Sequence, residues 1–184
     1  NVRRLLPSSI RVVSSATRDT LDPHLIVQYP PATAVDLVDG RVVSRGPNRL
    51  IFANDPPNRE MALAPDLPDA LAGAAVFLVS GFNTMQDGDL LDLRLTQLIA
   101  AMDRLPEGAV VYYEDAGFYR REFSALIRER LGYRIDVHGM NEDELQEYLG
   151  RPVDLLDSED VASALREISE VLAAPAVVVH TRYW

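Results

Sequence analysis

The sequence predicts an α/β protein, in which a layered core with a parallel sheet follows a small antiparallel β-unit. In the core, short continuous apolar runs alternate with longer segments whose apolar residues recur at helical spacing. Parallel strands need crossover connections, so this alternation indicates a parallel sheet with helices packed on it. In residues 1–58, short β-branched runs are separated by turn residues, and no helical period occurs. We therefore assign residues 1–58 to a β-rich segment and residues 59–184 to the α/β core.

The β-rich segment contains short runs with the composition of strands, at residues 10–14, 24–29, 34–38, 41–44 and 50–53. Turn residues separate these runs, and the pair Asp39-Gly40 between two valine-rich runs predicts a β-hairpin. The stretch from Asn54 to Asn58 carries two consecutive prolines and marks the change from the β-rich segment to the core.

Four strands and four helices are predicted in the core. The strands are expected at residues 74–80, 109–114, 133–137 and 176–180, and the first is expected to be buried on both faces. The helices are expected at residues 89–104, 120–131, 141–149 and 158–172. Residues at helical spacing support the first two helices, namely Leu91, Leu95, Leu98 and Met102, then Phe123, Ile127 and Leu131. Gly139 is expected in a tight turn before the third helix, and Ser158 is the expected N-cap of the last helix.

The composition excludes several classes of function. The chain has 184 residues, a formal net charge of −10 and no basic block, which disfavours binding to nucleic acid or to an anionic membrane surface. The absence of cysteine excludes disulfide scaffolds, thiolate metal sites and cysteine nucleophiles. No apolar run approaches the roughly 20 residues of a membrane-spanning helix, and no signal peptide is recognisable. We expect a cytoplasmic protein and, because the sequence opens with Asn1 rather than methionine, a piece of a longer chain.

The candidate functional residues follow the predicted strands. Residues just after the strands of a parallel sheet face one crevice, where ligands bind. In this chain those positions hold carboxylates, amides, imidazoles and glycines, namely Gly81, Asn83, Glu114, His138, Gly139, Asn141, Glu144 and His180. Such a polar, acidic rim is typical of a ligand site. Its oxygen ligands favour Mg²⁺, held partly through water, if a metal binds.

Each of these residues also has a purely structural interpretation. Asn141 and Glu144 have the spacing of a capping box, with Asn141 as the N-cap of the following helix. Glu114 is compatible with a solvated strand end, because most glutamates are exposed, and His138 is favoured as a turn residue. Asn83 is compatible with a helix cap, whereas the role of His180 stays open.

Common catalytic motifs are missing from the sequence. It has neither the Gly-x-x-x-x-Gly-Lys-Ser/Thr phosphate loop nor the Gly-x-Gly-x-x-Gly dinucleotide fingerprint. It also lacks the Gly-x-Ser-x-Gly nucleophile elbow and the His-Glu-x-x-His zinc motif. The chemistry therefore has to come from another arrangement of polar residues.

Stretches that resemble a known family occur through nearly the whole chain. The most specific is Gly139-Met-Asn-Glu-Asp-Glu-Leu145, which contains an Asn-x-x-Glu motif. Others are His24-Leu-Ile-Val-Gln-Tyr-Pro30, Pro47-Asn-Arg-Leu-Ile51, Val79-Ser-Gly-Phe-Asn83, Tyr112-Tyr-Glu114 and Val179-His-Thr-Arg-Tyr-Trp184. In this order, the stretches resemble the ADP-dependent sugar kinases, the glucokinase and phosphofructokinase group of the ribokinase-like superfamily.

The resemblance implies a ribokinase-like fold and transfer of a phosphoryl group from ADP to a hydroxyl of a sugar or sugar phosphate. It implies a β-rich lid over the core, through which two copies of the chain can also form a homodimer. Glu114 and Glu144 would hold a hydrated Mg²⁺ ion, with Asn141 ordering its water shell. The resemblance also implies substrate or phosphate binding by three further residues, Arg49, Asn83 and His180. An arginine suits phosphate because its planar fork binds two oxygens at once.

The chain also departs from the family pattern. The family's catalytic base is the Asp of a Gly-x-Gly-Asp motif, which this sequence lacks, and Asp87-Gly88-Asp89 does not fit it. The family's sugar-binding Asn and Asp ahead of the lid strands are absent as well, and Tyr112 replaces the histidine of its His-x-Glu motif. We therefore predict no catalytic residue in this chain, which is either part of a longer kinase or a degenerate relative.

Two alternatives to the kinase stay open. One is a catalytically inactive protein of the same fold that binds a sugar or a nucleotide, motivated by the missing Gly-x-Gly-Asp motif. The other is an interaction domain whose exposed β-edge pairs with another chain. The choice of sugar stays open, and ADP rather than ATP rests on the resemblance alone.

Overall fold

The structure, a computed structural model, describes residues 25–52 and 56–184. The predicted strand at residues 10–14 and the residues His24 and Ala53 lie outside the described residues. The described chain divides into two compact units, one with residues 25–52 and Pro56 and the other with residues 57–184. None of the helices in the described ranges is long and apolar enough to cross a membrane.

The first unit consists of two antiparallel strand pairs. Strand β1 (Leu25–Tyr29) pairs with β4 (Asn48–Phe52), and β2 (Ala34–Leu37) pairs with β3 (Gly40–Val43). Leu37 pairs with Gly40, which confirms the predicted hairpin, but the turn residues are Val38 and Asp39, and Gly40 already belongs to β3. Apolar side chains of all four strands are exposed in this unit.

The second unit contains a four-stranded parallel sheet in the order β5-β6-β7-β8. Its strands are β5 (Val76–Val79), β6 (Val110–Glu114), β7 (Val137–Asn141) and β8 (Ala176–His180). Its helices are α2 (Leu67–Leu71), α3 (Gly88–Met102), α4 (Glu122–Leu131), α5 (Glu142–Leu149) and α6 (Ser158–Val171), and a short α1 (Pro56–Glu60) precedes them. Short 3₁₀ turns occupy Phe82–Thr84 and Gly132–Arg134.

The helices between the strands pack on one face of this sheet. Neighbouring strands are consecutive in the chain, and crossovers of one hand then bring every connecting helix to the same side. The predicted helical stripes are buried there, as shown by Leu91 and Leu95 on α3 and by Ile127 on α4. A second buried group forms around Met140 and Ile168.

The opposite face, here called the open face, carries exposed apolar side chains. Val76 and Leu78 on β5 are 63% and 60% exposed, and Val178 on β8 is 43% exposed. The prediction that the first core strand is buried on both faces is therefore wrong for this chain. Its continuous apolar sequence is nevertheless typical of strands in parallel sheets, whose two faces are normally both covered.

Two element boundaries also differ from the prediction. The third core strand was expected at residues 133–137, but that stretch begins with the 3₁₀ turn, and β7 starts only at Val137. The strand continues to Asn141, which pairs with His180 of β8. The N-cap of α6 is Asp157 rather than Ser158, because the Asp157 carboxylate accepts a 2.9 Å hydrogen bond from the backbone N–H of Glu159.

Candidate functional site

A polar cluster lies on the open face at the carboxyl ends of β6, β7 and β8. Glu114 ends β6 and His180 ends β8, and the Glu114 Oε1 atom lies 2.9 Å from the His180 Nε2 atom. Strand β7 runs between them, with Gly139 opposite Glu114 and Asn141 opposite His180. The structure therefore brings together four of the residues singled out in the sequence, namely Glu114, Gly139, Asn141 and His180, while their roles in binding stay predictions.

Gly139 makes this cluster possible, and it does so from within a strand. The predicted tight turn at Gly139 is wrong, because the residue lies in the middle of β7. A β-carbon added there would stand 2.1 Å from the Tyr112 hydroxyl oxygen and 2.3 Å from the Glu114 Oε2 atom. Glycine is needed at this position for space, since the side chains of β6 occupy the volume above its α-carbon.

Gly81, by contrast, has the conformational role that the sequence indicated. It follows β5 with φ of 99°, a left-handed backbone that other residues resist. An added β-carbon would also stand 2.9 Å from the end of the Met61 side chain. The residue lets the chain turn sharply away from the carboxyl end of β5.

Asn141 and Glu144 form the complete capping box that their spacing predicted. The Asn141 side-chain oxygen accepts hydrogen bonds from the N–H of Asp143 at 2.8 Å and of Glu144 at 3.1 Å. In return, Glu144 Oε2 accepts from the Asn141 N–H at 2.7 Å, and Glu144 Oε1 from its side-chain amide at 2.9 Å. The Glu144 carboxylate is thus buried and held in one orientation at the start of α5.

The surroundings of Glu144 make ionisation of its carboxyl group harder than in water. Burial raises the pKa of Glu144 above its ordinary value, and the hydrogen bonds from Asn141 act in the opposite direction. The neighbouring carboxylates of Asp115 and Glu114 raise the pKa of Glu144 further. Glu114, Asp115 and Glu144 thus lie close enough at this edge of the sheet for their carboxyl groups to interact electrostatically.

A second polar cluster lies on the helix-covered face of the sheet, and the sequence did not reveal it. The buried Asp115 carboxylate accepts a hydrogen bond from the Tyr148 hydroxyl and lies 3.4 Å from the Nε2 atom of His138. Burial, followed by the charge of Asp115, raises the pKa of Tyr148 to about 12. His138 was predicted as a turn residue, but it is only 2% exposed and lies within β7.

Arg182 and Glu142 form an ion pair that joins the segment after β8 to α5. The Arg182 Nε atom donates to Glu142 Oε1 at 2.8 Å, and this hydrogen bond lowers the pKa of Glu142. The Glu142 side chain is 11% exposed, whereas that of Arg182 is 65% exposed. The pair helps to fix the residues that follow His180 beside the Asn-x-x-Glu motif.

The two remaining predicted site residues belong to other elements of the structure. Asn83 is in the 3₁₀ turn after β5, and its carbonyl oxygen accepts a hydrogen bond from the N–H of Tyr119. The N-cap of α3 is Asp87, so Asn83 does not cap that helix. Arg49 is an exposed residue of β4 in the first unit, where it pairs with Gln28.

The donor set at the carboxyl edge of the sheet fits a hydrated Mg²⁺ ion better than a directly coordinated one. Within residues 25–52 and 56–184, no group of three Asp, Glu, His or Cys side chains is arranged to hold a metal. Glu144 uses both carboxylate oxygens in the capping box, whereas the Glu114 side chain is 32% exposed and accessible to water. Carboxylates that contact the ion through water match the usual behaviour of Mg²⁺, which keeps several of its own waters.

Comparison with known proteins identifies the family. A model of the ADP-specific phosphofructokinase/glucokinase conserved region matches residues 1–182. The chain belongs to the ADP-specific phosphofructokinase/glucokinase family. This assignment confirms the resemblance inferred from the order of the motifs. No curated protein matches the chain.

Solved structures share the fold of this family member at low sequence identity. An ADP-dependent kinase in complex with fructose-6-phosphate and ADPβS matches with a TM-score of 0.66 and 16% identity, covering 89% of this chain and 40% of that one. The last common ancestor of ADP-dependent phosphofructokinases from Methanosarcinales matches with a TM-score of 0.62 and 14% identity, covering 89% and 38%. Ribokinase of Arabidopsis thaliana, complexed with ribose and ATP, matches with a TM-score of 0.50 and 17% identity, covering 75% and 40%.

These matches confirm the predicted ribokinase-like α/β fold. At such identities they carry the fold alone. The chain spans between 38% and 40% of the length of these three proteins. The activity of the whole protein is therefore a matter for proposal.

Proposed function

We propose that this chain forms part of a Mg²⁺-dependent kinase that transfers a phosphoryl group from ADP to a hydroxyl of a sugar or sugar phosphate. The observation that carries the proposal is the family match over residues 1–182. The position of Glu114, Asn141 and Glu144 at the carboxyl edge of a parallel sheet supports it, since ligands bind at this edge in such folds. A related structure with fructose-6-phosphate and ADPβS supports the choice of ligands.

Phosphoryl transfer needs positioning and charge neutralisation more than covalent help from the protein. A Mg²⁺ ion, when bound, would neutralise charge on the diphosphate. Glu114 and Glu144 would hold it through water, with Asn141 ordering the water shell. The chain contributes rigidity, because the capping box fixes the Glu144 carboxylate before any ligand arrives.

The substrate contacts in this proposal come from both units. Arg49 is proposed to meet a phosphate group, as its fork of N–H donors suits two phosphate oxygens. The β-unit that carries Arg49 is proposed to act as a lid over the core and as a surface for homodimer formation. Asn83 and His180 are proposed to lie near the nucleotide or the sugar.

The reaction is tested on the full-length protein that contains this chain. The assay measures AMP formed from ADP with glucose, fructose 6-phosphate, pentoses and nucleosides as acceptors, with ATP as the alternative donor. Turnover with ADP and one class of sugar is the expected result. Binding of nucleotide or sugar without any turnover would support the inactive relative instead, and neither binding nor turnover would reject both.

The role of Glu144 is tested by Glu144→Gln. Glutamine keeps one acceptor oxygen for Asn141 but turns an N–H₂ group toward the other Asn141 donor, so the free energy of unfolding should fall by about 1–3 kcal/mol. The turnover rate should fall about 10–100-fold if the carboxylate helps to hold Mg²⁺. The control is Glu147→Gln on the same helix, at a residue whose side chain is 46% exposed. Full activity of Glu144→Gln with a lowered melting temperature would limit Glu144 to its capping role.

A further inference from the structure

The Glu114 carboxylate is held by side chains from two different strands. Strands β6 and β8 are separated by β7, so their backbones lie roughly 9–10 Å apart, twice the usual strand spacing. Glu114 and His180 nevertheless meet at 2.9 Å, because both side chains extend over the open face near Gly139. A side chain on β7 at that position would block the contact.

Tyr112 completes this arrangement from the position two residues before Glu114. Side chains at alternate positions of a strand share one face, so Tyr112 also lies on the open face. Its hydroxyl and the Glu114 Oε2 atom both occupy the volume directly above Gly139. Partial burial, together with a hydrogen bond to Glu114, raises the pKa of Tyr112. The carboxylate therefore has His180 at one oxygen and the Tyr112 hydroxyl near the other.

We propose that Tyr112 and His180 are positioning residues, which fix the orientation of the Glu114 carboxylate, and that for His180 this role replaces the substrate contact proposed above. The proposal rests on the proposed function, in which Glu114 faces Mg²⁺. Groups that hydrogen-bond a metal-binding carboxylate restrict its rotation and so preserve its affinity for the metal. In His180, the Nε2 atom is already engaged by Glu114, which favours this role over direct binding of the sugar or nucleotide.

The proposal is tested with a double-mutant cycle on the affinity for Mn²⁺ alone, measured by electron paramagnetic resonance on the full-length protein. His180→Ala is expected to weaken Mn²⁺ binding about 10–100-fold, as removal of an outer partner of a ligand typically does. In the Glu114→Gln background the same substitution should have no further effect on Mn²⁺ affinity, because the carboxylate that His180 orients is already gone. If the fold-losses in Mn²⁺ affinity of the two single variants multiply in the double variant, His180 acts independently of Glu114, and the proposal is overturned.

Conservative variants separate positioning from a general loss of structure. His180→Gln retains an N–H donor and should bind Mn²⁺ within a factor of about three of the unsubstituted protein if it restores the hydrogen bond. Tyr112→Phe keeps the ring above Gly139 and removes only the hydroxyl, so it should weaken Mn²⁺ binding without changing circular dichroism. Tyr133→Phe, at an exposed tyrosine, is the matched control. Equal weakening by His180→Gln and His180→Ala would contradict the proposal.

Kinetics distinguish this proposal from the proposed function itself. A positioning role predicts a higher Mg²⁺ requirement in His180→Ala with the KM for sugar unchanged, whereas a substrate-binding role predicts a raised KM for sugar or ADP. If Glu114→Gln binds Mn²⁺ as tightly as the unsubstituted protein, or if neither protein binds Mn²⁺, then Glu114 does not hold the metal. In that case the positioning role of Tyr112 and His180 is rejected as well. If Glu114→Gln loses affinity but His180→Ala and Tyr112→Phe do not, only the positioning role fails.

Discussion

Replacing Gly139 with alanine is expected to damage the fold and the site together. The added methyl carbon would stand 2.1 Å from the Tyr112 hydroxyl oxygen and 2.3 Å from Glu114 Oε2. Ordinary contacts begin near 3.5 Å, so both groups overlap the methyl by more than about 1 Å. A small shift of the backbone or of one side chain cannot remove both overlaps at once. At least one side chain of β6 has to leave its position.

The loss of unfolding free energy in Gly139→Ala depends on how far the side chains of Tyr112 and Glu114 can move away from the added methyl group. Overpacking of a closed core costs about 1–3 kcal/mol. The Glu114 side chain is 32% exposed, so part of the strain is relieved by rotation into solvent, at the cost of the hydrogen bond to His180. That bond is worth about 1 kcal/mol or somewhat more, since one partner is charged. We therefore expect Gly139→Ala to lower the free energy of unfolding by about 1–3 kcal/mol.

The assay is urea unfolding monitored by circular dichroism. The unfolding midpoints of the variants are compared, provided that the free energy of unfolding depends on urea concentration with the same slope. The control is Gly132→Ala, whose added β-carbon meets only the Ala173 β-carbon at an ordinary 3.6 Å. Gly132 has right-handed helical dihedrals, so alanine there is close to neutral. Shortening the blocking side chain in Tyr112→Ala/Gly139→Ala should recover part of the loss. An unchanged midpoint for Gly139→Ala, with unchanged Mn²⁺ affinity, would refute the steric reasoning.

Two further predictions concern Tyr148 and Asn141. Because burial and Asp115 raise the pKa of Tyr148 from 10.0 to about 12, the folded protein keeps a proton that the unfolded chain releases. The stability gained from this group is complete below pH 10 and should be lost between pH 10 and 12. In that range the free energy of unfolding should fall with rising pH, and Tyr148→Phe should make this fall less steep by about 1.4 kcal/mol per pH unit. Tyr133→Phe, at an exposed tyrosine, should leave the fall unchanged. Asn141→Ala removes the acceptor for two N–H groups in the first turn of α5 and should cost about 0.5–2 kcal/mol. Amide hydrogen exchange at the start of α5 should accelerate, and unchanged exchange there would contradict the capping role.

The local features of the fold were predictable because they depend on neighbours in the sequence. The helical stripe of α3, with Leu91 and Leu95 fully buried, follows from spacing alone. The hairpin around Asp39 and the capping box of Asn141 are likewise short-range patterns, because the residues that interact in each lie within four positions of one another in the sequence. For such elements the sequence contains both partners of each interaction.

Gly139 shows why the rest could not be predicted. A glycine serves equally for a left-handed backbone and for close approach of another chain segment, and only its neighbours in space distinguish the two. Its neighbours are Tyr112 and Glu114, more than 20 residues earlier in the sequence. The mistaken turn ended the predicted strand before His138, so this residue was assigned to a turn instead of the buried face of β7. The contact of Asp115 with Tyr148, 33 residues away, gives no local signal either.

The end of β6 shows how strand alternation gives two neighbouring carboxylates different surroundings. Glu114 and Asp115 are adjacent in the sequence, yet alternation sends their carboxylates to opposite faces of the sheet. Glu114 lies on the open face, partly exposed and paired with His180, where a ligand can reach it. Asp115 is 5% exposed on the helix-covered face, where it joins β6 to α5 through Tyr148. Two neighbouring acidic residues that look equivalent in a motif therefore differ in what they contact. The contacts and exposure of each residue follow from the face of the sheet on which its side chain lies.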